Sequence, residues 1–450
     1  MYEPYQTEGK MKNALILGAG MVAKPMIDYL LDSNGIQVTS ATRTTTKAEK
    51  IIQGRKNASI MQLMADDDRM LEKLISKSDI VISLLPYTYH VKVAQFCLTH
   101  RKHLVTTSYV SQEMKALNQD ARESGILILN EIGLDPGIDH MSAMRIIDDV
   151  HQRGGKITSF RSYCGGIPAP EDNTNPWGYK FSWSPRGVLM AGRNDAKYLK
   201  KGEIIQISGK ELFKHNWPIE ISGLQLETYP NRDSLPYIEL YGIPETKTMF
   251  RGTLRYPGWS RTMAVVNQLN LLKDSPIKDI KRMSYKSILH KIAILNNGTD
   301  IRQYISHLVE GNEKDEIISK FEWLGLFDDK IWETSHTTPI DFLSTIMQEK
   351  LRYEAKERDI IVLYHDFQAE FANRVAHITS TLIDKGIVGG DSAMSRTVSL
   401  PAAIAVKLIL DGKIAEKGVR IPVDKEIYAP VLDELENLGI VCREKTEVIS

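Results

Sequence analysis

Apolar runs of strand length alternate with amphipathic stretches along the N-terminal part of the chain. The run Ala14 to Leu17 passes through Gly18-Ala19-Gly20-Met21-Val22-Ala23 into an amphipathic segment ending at Leu31, which predicts strand, tight turn and helix. A second strand is expected over Gln37 to Thr42. Then follow a helix around Met70 to Ser76, a strand Asp79 to Tyr87, a helix from His90, a strand His103 to Tyr109, a helix from Ser111 and a strand Gly125 to Gly133. Strand and helix alternating in this way build a parallel, doubly wound sheet. From Lys156 the texture becomes β-rich and punctuated by Gly and Pro, as in "KITSFRSYCGGIPAPEDNTNPWGYKFSW", "EIIQISGKEL", "LETYPNRDS" and "MFRGTLRYPG". The pattern is helical from about Met263 to Glu357, and strand-like segments return at Asp359 with "IIVLYHDFQAEF" and "VAHITSTLID". Near the end, "SLPAAIAVKLILDGKI" reads as an apolar helix closed by glycine, placed to rejoin the first domain.

The first strand, turn and helix carry the context that a dinucleotide fingerprint requires. Gly18 permits the turn, Gly20 lets the backbone approach a pyrophosphate, and the small Ala23 lets helix and strand pack closely. Pro25 is tolerated because it lies in the first helical turns, where backbone N–H groups have no partner within the helix. The second strand ends without the Asp or Glu that would bond the adenosine ribose of NAD. Arg43 follows instead, among Thr42, Thr44, Thr45 and Thr46, and a guanidinium beside hydroxyls suits the 2′-phosphate of NADP(H). Lys47 is the competing cation. Ligands of doubly wound sheets sit beyond the carboxyl ends of the strands, so Leu85, Pro86, Thr107, Ser108, Tyr109 and the loop Gly133 to Gly137 are expected to rim the cofactor cleft.

At 450 residues the chain is long enough for two or three domains. The 57 Lys plus Arg balance the 57 Asp plus Glu, and no block of like charge points to nucleic acid or to an anionic membrane. With 42% hydrophobic and 25% charged residues the composition is that of a globular protein, and no apolar run is expected to reach the length of a membrane span. The N-terminal "MYEPYQTEGKMK" has no apolar core of the signal-peptide kind. Three cysteines, Cys97, Cys164 and Cys442, make no disulfide framework, which points to a reducing compartment, the cytoplasm. The eleven histidines show no metal-ligand spacing, so no metal is expected, and His90, His100, His103 and His140 read as surface or satisfied polar residues.

Several long motifs resemble the saccharopine reductases, the glutamate-forming saccharopine dehydrogenases, over nearly the whole chain. They are "VTTSYVS" (Val105 to Ser111), "NEIGLDPGIDH" (Asn130 to His140), "SYCGGIPAPE" (Ser162 to Glu171), "GYKFSWSPRGVL" (Gly178 to Leu189), "YPNRDS" (Tyr229 to Ser234) and "RGTLRYPG" (Arg251 to Gly258). The resemblance implies an α/β fold: a Rossmann-type doubly wound parallel sheet domain (1–138 and 393–450), an α+β substrate domain (139–262 and 358–392) and an all-helical insert (263–357). It also implies NADPH-dependent joining of 2-aminoadipate 6-semialdehyde to L-glutamate and reduction of the imine to saccharopine, or the reverse. The substrates would be these small molecules, and a homodimer is an assembly the resemblance allows.

By the same resemblance the nucleotide meets Gly18, Ala19, Gly20, Met21, Val22, Thr42, Arg43, Thr44, Met64, Ala65, Leu85, Thr107, Leu134 and Pro136. Relatives often place an Asp where this chain has Met64 and Ala65, so either Met64 packs on the adenine or Asp66 takes over; Asp66 to Asp68 otherwise read as a solvated helix start. Substrate contacts carry over to Ser108, Tyr109, Asp135, Arg232, Thr253, Leu254 and Arg255. Saccharopine's three carboxylates need paired cations when buried, and Arg232 and Arg255 supply them. Arg251 competes with Arg255, and bracing its own loop is the alternative for Arg232. Proton transfer at the amine and at the departing water calls for a positioned acid or base. Asp135 is the first candidate, with a fixed counter-charge as its other role; Cys164 and Tyr109 rank second. Two other functions compete: a carboxynorspermidine-type dehydrogenase, whose diamine would meet the arginines poorly, and a non-catalytic nucleotide-sensing relative.

Overall fold

The computed structural model describes residues 11–296, 298–309 and 311–449, which fall into two units: Met1–Asp149 with Ala393–Cys442, and Val150–Ser392 with Arg443–Ser450. The first is built on β1 (Lys12–Leu17), β2 (Ile36–Thr42), β3 (Ala58–Gln62), β4 (Ile80–Ser83), β5 (His103–Thr106), β6 (Leu127–Leu129) and a last strand Gly418–Arg420. All seven run parallel, in the order Gly418–Arg420, β6, β5, β4, β1, β2, β3. Helices cover both faces, so Ala14 to Leu17 and Ile80 to Ile82 are buried without alternation. The order reverses between β1 and β4, where a doubly wound sheet opens a crevice for ligand.

Helix α1 (Ala23–Asp32) turns Ala23, Met26, Ile27, Leu30 and Leu31 inward and packs on Ala393–Leu410. The unit also holds α2 (Thr45–Ile52), α3 (Asp68–Ser76), α4 (His90–His100), α5 (Gln112–Ala116), α6 (Asn118–Glu123) and α7 (Ile138–Gln152), the last running on into the second unit. Asp67 caps α3 by accepting from the Met70 amide at 3.0 Å, so the acidic run does start a helix. The expectation about membrane-length segments needs one correction. Ala393–Leu410, 18 residues with a mean hydropathy of 1.4, is long and apolar enough to cross a bilayer by length and composition. It is apolar all round because it is enclosed by protein: 78% of it is buried inside the fold.

Strands β4, β5 and β6 stop earlier than the hydrophobic runs suggest. Leu17, Ser83 and Thr106 are register partners across β1, β4 and β5, and beyond them no neighbouring strand continues the ladder. The chain therefore leaves the sheet with Leu85, Thr107, Ser108 and Tyr109 in loops at the carboxyl ends of the strands.

The second unit holds β7 (Lys156–Pro168), β8 (Ala196–Lys200), β9 (Glu203–Ile207), β10 (Trp217–Ile221), β11 (Leu224–Pro230), β12 (Thr248–Arg255), β13 (Asp359–Phe371), β14 (Arg374–Lys385) and the edge strand Arg443–Val448. The sheet is mixed: β7 lies between a parallel β12 and an antiparallel β13. Segment 263–357 is helical, and its Phe321, Trp332 and Phe342 share one core with Tyr163, Phe250 and Leu254 of the sheet. The division differs from the sequence boundaries in three ways: residues 139–149 belong with the first unit, 443–450 with the second, and the helical segment forms no unit of its own. A terminal strand that pairs with β14, distant in sequence, leaves no local sign of its partner.

Candidate active site

Candidate residues of the first unit begin at the turn after β1. Gly18 has φ +104°, and a Cβ on it would lie 3.2 Å from the Leu84 carbonyl oxygen, so the position requires glycine. Around Gly20 nothing lies within 4 Å of where a Cβ would be, which leaves the backbone open to a ligand. Val22 leads into α1 without a side-chain cap, and although the Ala23 amide donates to the Gly20 carbonyl at 3.3 Å, the positive end of the helix dipole favours an anion there. Ala19 is buried and Met21 exposed. Thr42 closes β2; Arg43 and Thr44 follow, both exposed, and Arg43 forms no ion pair among the described residues. The Leu63 amide donates to the Thr42 carbonyl at 3.0 Å, which sets exposed Met64 and half-buried Ala65 beside that strand end. An open glycine turn, a helix start without a side-chain cap and an arginine without a carboxylate among the described residues fit a dinucleotide carrying a 2′-phosphate.

At the next strand ends, the Tyr109 hydroxyl donates to Asp135 Oδ1 at 2.8 Å, and both side chains are partly exposed. Asp135 is held in a tight turn: the Gly133 amide donates to the Pro136 carbonyl at 2.9 Å and the Ile138 amide to the Gly133 carbonyl at 2.8 Å. A Cβ on Gly137 would come 2.0 Å from the Gly133 carbonyl oxygen, so the turn closes only with glycine there. Leu134 and Pro136 are buried on either side of Asp135, and Thr107 packs against Gly133.

Two residues given no role from sequence hold this arrangement. Glu131, 3% exposed and at φ +58°, accepts from the Val110 amide at 2.9 Å and meets His140 Nε2 at 2.9 Å through its other oxygen. Asp139 accepts from the Gly137 amide at 2.6 Å. The loop carrying Tyr109 and the turn carrying Asp135 are thus tied to the start of α7. A non-glycine residue in the left-handed region is costly and persists only where its surroundings demand it. The one sequence sign was an acid inside the apolar run "LILNEIGL". His90 is also buried: its Nδ1 meets Ser83 Oγ at 2.9 Å, and its Nε2 meets Ser108 Oγ at 2.9 Å and Thr106 Oγ1 at 3.2 Å. Burial lowers its pKa to about 4, so the ring is neutral at neutral pH.

In the second unit, Cys164 on β7 is buried and in register with Thr253 on β12. A Cβ on Gly165 would fall 2.6 Å from the Leu254 carbonyl oxygen, so the glycine after Cys164 is needed for that close approach. Arg251, Thr253 and Arg255 alternate onto one face of β12. Arg251 is buried with its guanidinium 4.5 Å from the Tyr237 ring. Arg255, 6% exposed, lies 4.9 Å from the Tyr179 ring and 5.6 Å from that of Trp259 and donates from Nη1 to the Leu254 carbonyl at 2.7 Å. Its buried Nε has no hydrogen-bond partner among the described residues. Burial opposes the charge of Arg255, but Tyr229, Tyr179, Cys164 and Glu227 outweigh it and raise its pKa above the usual arginine value. Arg232 is exposed at φ +55°; its backbone carbonyl accepts from the Lys197 amide at 2.9 Å, so main-chain bonds brace the loop.

Two family models match. The saccharopine dehydrogenase NADP binding domain covers residues 14–129 and the saccharopine dehydrogenase C-terminal domain residues 133–440. The chain is 42% identical to saccharopine dehydrogenase (NADP+, L-glutamate-forming) of Pyricularia oryzae, over 96% of this chain and 99% of that one. The protein of the same name from Saccharomyces cerevisiae is 42% identical over 97% and 99% of the two chains. The apo structure of histidine-tagged saccharopine dehydrogenase (L-Glu forming) from Saccharomyces cerevisiae superposes with a TM-score of 0.86, covering 97% of this chain and all 100% of that one. With two family models spanning both units and relatives matched end to end, the chain belongs to the saccharopine dehydrogenase family.

Proposed function

We propose that this protein is an NADP(H)-dependent, glutamate-forming saccharopine dehydrogenase of lysine metabolism, acting on the CH–NH bond of saccharopine. The observation that carries the reading is Arg255: a buried cation with an unspent N–H donor is costly unless a ligand anion completes it, and saccharopine has three carboxylates. The diamine of carboxynorspermidine chemistry would bring ammonium groups to this guanidinium instead.

In the synthetic direction the glutamate amine attacks the semialdehyde carbon, the carbinolamine loses water, and the imine carbon is reduced. NADPH, when bound, supplies the hydride. The glycine turn, Arg43 and the strand-end residues Leu85, Thr107, Leu134 and Pro136 hold and orient the nucleotide. Asp135 takes the proton that the glutamate ammonium must lose before attack. The departing hydroxyl needs a proton, and the Tyr109 hydroxyl, bonded to Asp135, supplies it; Cys164 is the alternative donor. Arg255 and Arg232 neutralise substrate carboxylates, while Ser108, Thr253 and Leu254 position the substrate. The three cysteines are buried thiols, which supports a reducing compartment such as the cytoplasm. The test compares saccharopine with carboxynorspermidine as substrates for reduction of NADP+ and NAD+. Preferred turnover of saccharopine with NADP+ upholds the reading; turnover of carboxynorspermidine alone, or of neither, overturns it.

A further inference from the structure

Ser108 stands among the proposed substrate contacts, but its hydroxyl is half of a longer chain of polar atoms. His90 opens α4 and is 4% exposed. Ser83 and Thr106 end β4 and β5 and are register partners, so the imidazole bridges the carboxyl ends of two neighbouring strands. Beyond them its Nε2 reaches Ser108 Oγ at 2.9 Å, while the Ser108 amide donates to Thr106 Oγ1 at 3.3 Å.

The protons of this cluster can be counted. A neutral imidazole has one N–H and one acceptor nitrogen, and each hydroxyl has one hydrogen to place. Ser83 and Thr106 are fully buried, and their side chains have no other hydrogen-bond partner among the described residues than His90 and, for Thr106, the Ser108 amide. With hydrogen on Nδ1, the Ser83 hydrogen has no acceptor. If the lone acceptor Nε2 then takes the Ser108 hydrogen, the Thr106 hydrogen is stranded as well. With hydrogen on Nε2, Ser83 donates to Nδ1, the ring donates to Ser108 Oγ along the shorter of its two contacts, and only one buried hydrogen lacks a partner. Every arrangement that strands just one buried hydrogen leaves the Ser108 hydrogen pointing away from His90. Since a buried unsatisfied donor is costly, these arrangements dominate. One of them has hydrogen on Nδ1 with Thr106 donating to Nε2, but it leaves Nε2 and Ser108 Oγ 2.9 Å apart with no hydrogen between two lone pairs, so the close contact selects the arrangement with hydrogen on Nε2.

We propose that His90 is a positioning residue that anchors the Ser108 oxygen through Nε2–H and so presents Ser108 to the substrate as a hydrogen-bond donor, matched to a carboxylate oxygen and not to an ammonium. The inference rests on the reading of Ser108 as a substrate contact; the tautomer of His90 does not. Asparagine at position 90 retains an amide near Ser83 but is too short to reach Ser108, whereas glutamine extends an amide toward the place of Nε2.

Saccharopine KM and kcat, NADPH affinity and the ring nitrogen NMR signals of His90 are measured. His90→Asn is expected to raise KM roughly five- to tenfold, the effect of one lost hydrogen bond, as Ser108→Ala does, with NADPH affinity unchanged. The double variant should be no worse than either single one, and His90→Gln should recover most of the loss. Ser83→Ala, a small change inside the fold at a residue assigned no ligand contact, should raise KM roughly two- to threefold by releasing the tautomer. This variant serves if His90→Asn does not fold. In the wild type the NMR signals should show Nε2 protonated and Nδ1 bare at neutral pH. A proton on Nδ1 overturns the assignment of the ring. Additive losses in the double variant, or equal impairment in Asn and Gln variants, overturn the positioning role. A Ser108→Ala variant with wild-type KM alongside the expected tautomer overturns instead the reading of Ser108.

Discussion

Arg255→Met removes the guanidinium from the end of β12 while roughly keeping its length. In the unliganded fold the change has opposing parts. Contacts over Tyr179 and Trp259 are lost, at about 0.5–2 kcal/mol each for partly to fully desolvated pairs. Against that, a charge only 6% exposed no longer has to be desolvated, and an apolar side chain of similar volume in place of a buried ion is often neutral or stabilising. The melting temperature should therefore move little. The substrate complex has no such compensation: a charge-assisted bond to a buried carboxylate contributes roughly 1.5–3 kcal/mol, or about ten- to a hundredfold in affinity. Saccharopine KM, from nicotinamide absorbance during oxidation with NADP+, should rise by that factor, while NADPH titration and thermal unfolding stay near wild type. Arg251→Met, which removes the guanidinium over Tyr237, should change KM less. A folded Arg255→Met enzyme with KM within a factor of about two of wild type would refute the reasoning, and a larger effect at Arg251 would transfer the role there.

Asp135→Asn keeps the shape that accepts the Tyr109 hydroxyl but cannot take a proton, so kcat should fall by roughly a hundredfold or more with NADPH affinity retained; turnover at the wild-type rate discards the acid–base role. Arg43→Ala should weaken NADPH by about ten- to a hundredfold and barely alter NADH, as read by fluorescence titration; a wild-type preference for NADH contradicts the assignment. The lowered pKa of His90 sets a pH dependence of stability. Its folded value, about 4, lies below the ordinary 6.5, so the unfolded chain binds the proton first: stability is full above pH 6.5 and is lost as pH falls toward 4. The loss is on the order of 3 kcal/mol, and His90→Gln should flatten that part of a denaturation-versus-pH curve; an unchanged slope in the variant places the titration elsewhere.

Much of the first unit was legible in the chain because its information is local. A parallel strand covered on both faces must be apolar throughout, and a diphosphate turn needs glycine and a small residue at fixed offsets, so β1, Gly18, Gly20, Ala23 and the arginine after β2 could be read without any partner. The motifs around Asp135 and Arg255 marked segments, but not which side chain in each does what. Arg251 and Arg255 are equivalent by alternation along β12. They diverge in the rings their guanidiniums meet, Tyr237 for Arg251 and Tyr179 with Trp259 for Arg255. Nor could the chain show that Glu131 adopts a left-handed backbone to hold the Tyr109 loop and His140, or that His90 joins the ends of β4 and β5 to Ser108. Those contacts depend on strand register and on where each ladder stops, which are settled by packing between segments far apart in sequence. Periodicity reports only whether a position is buried, and the identity of its neighbour is decided by the tertiary fold.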